Sequence, residues 1–206
     1  MYADRLVPGG DAVRALWDEL RVELTMGQYL DVRGAGLGVG DPDRSRLIAT
    51  LKSGRYTIVR PLHLAAALTG RHDLAEPFAR FGEPLGRAFQ LRDDVLGAFG
   101  SPDATGKPAG DDLREAKPTL LLELARQRST PEQAAVLDAV GHPDLDHVAI
   151  DRIREVLVAS GALAGVEAEI ERNAADSARA LARTAVSAEG REELERLSRL
   201  VIDRDR

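Results

Sequence analysis

Residues 86–100, GRAFQLRDDVLGAFG, set two adjacent carboxylates, Asp93 and Asp94, amid residues that call for a core. Phe89, Val95, Leu96 and Phe99 want burial, whereas a carboxylate pair wants water, a counter-charge or a metal. On a helical wheel Gln90, Asp93, Asp94 and Gly97 stand at i, i+3, i+4 and i+7 and share one face. Small residues at Gly86 and Gly97 leave room beside the carboxylates. Such a face suits a hard divalent cation, Mg²⁺ in particular, which binds through one or two carboxylates plus waters and substrate phosphates. The ordinary alternative is a solvated acidic face ended by Arg92; the apolar stripe running past it argues against that.

Three other stretches carry groups of the same kind. Residues 100–119, GSPDATGKPAGDDLREAKPT, supply Lys107, Asp111, Asp112 and Lys117. They are not a phosphate-binding P-loop: the glycine spacing is one residue too long, Pro108 stands where Ser or Thr should bind metal, and a helix precedes them rather than a strand. What remains is a flexible flap whose lysines swing over an anionic ligand. In LKSGRY, Lys52, Ser53 and Tyr56 offer a cation and two hydroxyls; in MGQYLD, Gln28 and Asp31 share a helix face. Each of these two, alone, is also what ordinary surface looks like. Of 28 basic residues only three are lysine, Lys52, Lys107 and Lys117. A GC-rich genome explains the arginine bulk, and an ammonium is the more compact charge beside phosphate oxygens.

Helical periodicity dominates the elements that must position these groups. Apolar residues at 13, 16, 17, 20 and 24 mark an amphipathic helix over Asp11–Asp31, with Asp11 as its N-cap. GAGLGVGDP, residues 34–42, is a glycine-rich break. Helix resumes over Asp43–Leu68, kinked or split at Pro61, and a long helix spans Asp73–Phe99. Further helices are expected over 119–128, 131–140, 147–160, 161–186 and 188–203. Alternating strand patterns are absent, so the class is all-α, read as one domain over residues 1–206. Several helices need partners on more than one side, and the chain reads as though it starts within a domain.

Composition sets outer bounds. No apolar run reaches the roughly 18–20 residues of a membrane span. Zero cysteines exclude disulfides and thiol chemistry and are compatible with a cytoplasmic location. A net charge of −6 argues against a nucleic-acid partner. The GHPDLDH cluster, residues 141–147, matches no zinc spacing, and Asp146 reads as a helix N-cap. Trp17 reads as core.

Taken together, GQYLD, LKSGRY, GRAFQLRDDVLG and TGKPAGDDLREAKPTL, in that order, resemble the trans-type isoprenyl diphosphate synthases, or polyprenyl synthetases. The resemblance runs over about residues 11–125 and is strongest to actinobacterial geranylgeranyl diphosphate synthases, which share the RDDVLG wording. It implies the C-terminal portion of the isoprenoid synthase helical bundle. It also implies a prenyltransferase condensing isopentenyl diphosphate with an allylic diphosphate (dimethylallyl, geranyl or farnesyl). Asp93 and Asp94 then belong to the second aspartate-rich motif, with Asp93 a Mg²⁺ ligand. Lys52, Ser53 and Gln90 hold the allylic diphosphate, Tyr56 lies near the reacting carbons, and Lys107 reaches the diphosphate. Asp31 lines the cavity beside it, with Gln28 on the same face, and Lys117 belongs to the closing region. A homodimer is the implied assembly.

Two departures qualify the resemblance. The last position of the second aspartate motif is Gly97, and the first motif, DDxxD or DDxxxxD, is absent. The chain is therefore expected to lack the N-terminal helices that carry that motif, as a fragment, as a shortened gene, or as a non-catalytic partner subunit of a heteromeric synthase. Taken alone it is expected not to turn over. A class I terpene synthase is the rival enzyme on the same fold, but it uses a metal motif of the NSE kind, and no such triplet is present.

Overall fold

The computed structural model describes residues 2–7, 10–35, 42–101, 110–142 and 144–202. Every regular element among them is helical, as the periodicity predicts. A short helix α1 (Tyr2–Leu6) precedes α2 (Asp11–Ala35), in which Asp11 opens the first turn rather than standing outside it as a cap. Trp17 is half-buried, its indole N–H donating to Asp4 at 3.0 Å. Most of the glycine-rich break, Lys107 and the terminal Asp203–Arg206 lie outside the described residues.

The second helical region departs most from expectation. α3 (Pro42–Ala49) runs into a π-helix (Thr50–Val59), which gives way to α4 (Arg60–Leu68). The winding changes before Pro61, which sits in the first turn of α4, where a missing N–H is tolerated. In a continuous α-helix the Pro61 ring would press on the Thr57 carbonyl. The π winding instead ends with the Arg60 N–H on the Arg55 carbonyl, five residues back.

A 3₁₀ turn (His72–Leu74) leads into α5 (Ala75–Phe99), the central element. After it come α6 (Asp111–Arg114), α7 (Leu120–Arg128), α8 (Pro131–Leu137), α9 (His147–Ala159), α10 (Ala162–Ala182) and α11 (Ala188–Ile202). The starts of α7, α8 and α9 are fixed by side-chain caps: Thr119 on the Leu122 N–H, Thr130 and Gln133 in a capping box, and Asp146 on the Ala149 N–H at 2.7 Å.

α5 packs on α10 along one side and on the π-helix along the other. Leu91 and Val95 join Leu121, Ile153, Val166 and Ile170 in the larger core, while Phe81 and Leu85 meet Ile58 and Leu181 in a second. Two glycines set how closely the π-helix is approached. A Cβ on Gly86 would stand 2.4 Å from the Gly54 Cα, and one on Gly27 would stand 2.6 Å from the Lys52 backbone nitrogen. The bare backbones of α2 and α5 thus hold the Lys52 turn between them. A half-buried carboxylate pins the same place: Glu23 accepts from Arg55 Nη1 at 2.5 Å and from Arg60 Nε and Nη2 at 2.8 and 2.7 Å. Burial would raise the Glu23 carboxyl, but the two guanidiniums outweigh that and hold it below its ordinary range.

The outer side of α2 is apolar and open. Val22, Met26 and Tyr29, at i, i+4 and i+7, are more than half exposed, as is Val32. No described helix is long and apolar enough to cross a membrane.

Candidate active site

The C-terminal half of α5, the turn after α6, the π-helix and the end of α2 border a cleft of about 440 Å³ lined by Asp31, Lys52, Asp93, Asp112, Glu115 and Lys117. Its floor is formed by Ser45, Gln90, Asp94 and Thr119. On one wall Lys52 Nζ lies 2.5 Å from Asp31 Oδ2. On the other, Lys117 Nζ stands 3.0 Å from Asp112 Oδ2, 3.1 Å from Asp94 Oδ1 and 3.9 Å from Asp93 Oδ2. Gln90 Nε2 donates to the same Asp94 oxygen at 2.7 Å. The Ser45 hydroxyl donates to the Pro118 carbonyl at 2.9 Å, tying α3 to the segment that follows Lys117.

The two carboxylates of the Asp93–Asp94 pair do different things. Asp94 is 8% exposed, beneath Lys117 and Gln90, whereas Asp93 is 46% exposed and opens to the cleft. Burial pushes the Asp94 carboxyl up to about 6, with the Asp112 charge adding to the rise and Lys117 and Gln90 opposing it. Burial alone would lower the Lys117 ammonium; Asp94 and Asp112 outweigh it and hold this lysine above the ordinary lysine range. Lys117 is therefore a fixed cation through neutral pH.

Cleft and floor together set five carboxylates (Asp31, Asp93, Asp94, Asp112, Glu115) against two ammoniums. An acidic cleft of that balance repels an anion unless cations join it, and its lysines are already bound to carboxylates. No cluster of three or more metal-ligating side chains occurs among the described residues. Mg²⁺ does not need one, since it binds through one or two carboxylates with waters and phosphates. Asp93, facing open space, fits that demand.

Several expected site residues meet here and several do not. Asp31, Lys52, Gln90, Asp93, Asp94 and Lys117 line the cleft or its floor. Gln28, Ser53 and Tyr56 lie outside that lining, with Gln28 and Tyr56 on exposed surface. Lys107 falls outside the described residues. The shared face of Gln90, Asp93, Asp94 and Gly97 divides, because Asp94 turns down to Gln90 while Asp93 stays in the open. Arg92 does not end an acidic surface: it is buried, and its guanidinium grips Glu167 of α10 at 2.7 and 2.9 Å. Asp112 and Glu115 are acidic residues of the cleft outside the expected site, and of the two Asp112 has a signal in the sequence. That signal is Gly97, where a Cβ would lie 2.1 Å from Asp112 Oδ2. The room at Gly97 is for this carboxylate; the room at Gly86 is for the Gly54 backbone.

The polyprenyl synthetase family model matches residues 6–157, and the chain belongs to that family. A geranylfarnesyl diphosphate synthase of Aeropyrum pernix is 33% identical over 187 residues, covering 90% of this chain and 58% of that protein. A farnesyl diphosphate synthase of Mycobacterium tuberculosis is 28% identical over 95% of this chain and 55% of its own length. The crystal structure of the Corynebacterium glutamicum geranylgeranyl pyrophosphate synthase, complexed with isoprenyl diphosphate and magnesium, superposes with a TM-score of 0.90 at 37% identity, covering 94% of this chain and 55% of that one. The chain is thus an all-α member of the isoprenoid synthase fold and spans somewhat more than half the length of these relatives.

Proposed function

We propose that the chain forms the half of a trans-prenyltransferase that holds the diphosphate of an allylic substrate through Mg²⁺, for condensation with isopentenyl diphosphate to a longer, geranylgeranyl-type polyprenyl diphosphate. The observation that carries this reading is the pair of walls facing one another, Lys52–Asp31 and Lys117–Asp94–Asp112, with Asp93 open between them.

Ionisation breaks the allylic carbon–oxygen bond and leaves the electron pair on the departing diphosphate. Lys52 and Lys117 face that group, so their fixed charge acts where negative charge develops. Asp31 and Asp112 hold the two ammoniums in place before the ligand arrives. Gln90 acts through Asp94, whose buried carboxylate aims Lys117. Asp93, with Asp94 behind it, would hold Mg²⁺, whose charge when bound offsets that of the diphosphate. Ser53 and Tyr56 share the π-helix with Lys52 and are assigned to the diphosphate and to the reacting carbons. Gln28 belongs to the α2 wall, and Lys107 adds a third ammonium. The double bond of isopentenyl diphosphate then attacks the allylic cation, and the released diphosphate takes the proton lost in forming the new double bond.

The open apolar side of α2 supports association with a second polypeptide, for which a homodimer is the proposal, tested by sedimentation. A cytoplasmic location goes with this reading and is tested by cell fractionation.

The enzymatic test joins this chain to the portion of the C. glutamicum synthase that it does not cover. With Mg²⁺, labelled isopentenyl diphosphate and dimethylallyl, geranyl or farnesyl diphosphate, the folded chimera is expected to make labelled prenyl diphosphates, with chromatography giving their length. Asp93→Ala is expected to abolish this. A folded chimera that consumes none of the three allylic substrates would refute the proposal.

A further inference from the structure

Ala116 is the only non-glycine residue with positive φ among the described residues, at +50°. That conformation disfavours any residue bearing a Cβ, and here it falls immediately before Lys117. The hydrogen bonds explain what it does. The Lys117 N–H donates to the Asp112 carbonyl at 3.0 Å and the Ala116 N–H to the Leu113 carbonyl at 3.4 Å. This is the left-handed helix stop in which glycine ordinarily sits at the position Ala116 holds. The reversal carries the lysine back over its own helix, so that its ammonium meets the Asp112 carboxylate it has just passed.

A second segment holds the stop in place. The Gly141 N–H, in the turn following α8, donates to the same Leu113 carbonyl at 2.9 Å. Gly141 is itself left-handed, at φ +87°, and a Cβ there would lie 2.8 Å from the Ala116 methyl. Leu113 is buried in the larger core beside Leu137. The turn after α8 does not line the cleft, yet it is pressed against the one residue whose backbone aims Lys117.

We infer that Ala116 and Gly141 form a latch that positions the Lys117 ammonium in the cleft: Ala116 is a positioning residue, and Gly141 is the stay that keeps its turn closed. This rests on the reading of Lys117 as a diphosphate ligand.

The test uses the chain itself, with two readouts: amide hydrogen exchange at Lys117, and affinity for inorganic pyrophosphate in Mg²⁺ by calorimetry. Gly141→Ala is expected to speed exchange at the Lys117 amide and weaken pyrophosphate binding about tenfold, the scale of one charged hydrogen bond. Ala116→Gly removes the methyl and relieves the left-handed strain, and should raise the unfolding midpoint slightly with exchange at the Lys117 amide no faster than in wild type. In the double variant the methyl–methyl clash is gone and only the strain of an alanine at the left-handed position 141 remains, so both readouts should recover part of the way from Gly141→Ala toward Ala116→Gly. A double variant as impaired as Gly141→Ala would overturn the latch, as would a Gly141→Ala chain with wild-type exchange and affinity. Should Gly141→Ala not fold, Ala116→Val, whose branched side chain the left-handed turn resists, is expected to speed Lys117 exchange, and unchanged exchange there overturns the latch. Lys117→Met separates the two readings. If it binds pyrophosphate like wild type, the diphosphate role of Lys117 falls and the latch with it; if it loses affinity while Gly141→Ala does not, only the latch falls.

Discussion

Replacing Lys117 by Met removes the cation that three carboxylates share and keeps most of its aliphatic length. Asp94 and Asp112 each lie within 3.1 Å of its Nζ, so their nearest oxygens are at most about 6 Å apart. Unscreened by the ammonium, two charges at that distance repel by roughly 3 kcal/mol at an effective dielectric near 20. Breaking one side of a buried ion pair costs about 3–5 kcal/mol in general, and the two figures agree in scale. The loss must depend on pH. Asp94 already has its carboxyl raised to about 6, above the ordinary 3.8, and without Lys117 it rises further. A carboxyl raised on folding binds more protons folded than unfolded, so stability falls as pH rises from the unfolded to the folded value. At about pH 5 Asp94 is protonated in wild type and variant alike, and the deficit should shrink to about 1 kcal/mol; at about pH 8 it should reach 3–5 kcal/mol. The raised Lys117 value contributes stability at both pH values, since that contribution is lost only above the ordinary lysine range. Urea unfolding in EDTA at the two pH values measures the deficit directly. An equal deficit at both, or one under about 1 kcal/mol at pH 8, would refute the reasoning.

Three more perturbations probe the same structure. Asp94→Asn removes a buried charge whose raised value of about 6 corresponds to about 3 kcal/mol of destabilisation at neutral pH. In EDTA the variant should therefore be more stable than wild type above about pH 6, and equal to it below about pH 4, in thermal unfolding. Gly97→Ala drives a methyl into the Asp112 carboxylate, which must leave Lys117; calorimetry should show a stability loss of about 1–3 kcal/mol and weaker pyrophosphate binding. Gly86→Ala meets the Gly54 backbone, which cannot rotate aside, and should cost about 3 kcal/mol or more in urea unfolding.

Local signals in the sequence anticipated local structure well. Thr119, Thr130 and Asp146 cap the helices that periodicity predicted, because capping depends on a side chain and an N–H three residues on. The π-helix was illegible, since it depends on where α2 and α5 touch the segment, through Gly27 and Gly86, and neither contact has a local signature. The helical wheel placed Asp93 and Asp94 on one face correctly in angle but gave them one role, because burial depth is tertiary. The burial of Arg92 has no local signal for the same reason: its partner Glu167 is 75 residues away. The lysines told more than their number suggested, as both described ones stand in the cleft, where each ammonium meets a carboxylate.

The most direct measurement is calorimetric titration of the chain with inorganic pyrophosphate, in Mg²⁺ and in EDTA, for wild type and Asp93→Asn. Asp93 as the open ligand of a Mg²⁺–diphosphate site predicts binding that requires Mg²⁺ and weakens by about tenfold or more in the variant. Pyrophosphate binding of equal strength with and without Mg²⁺, and unchanged by Asp93→Asn, would contradict it.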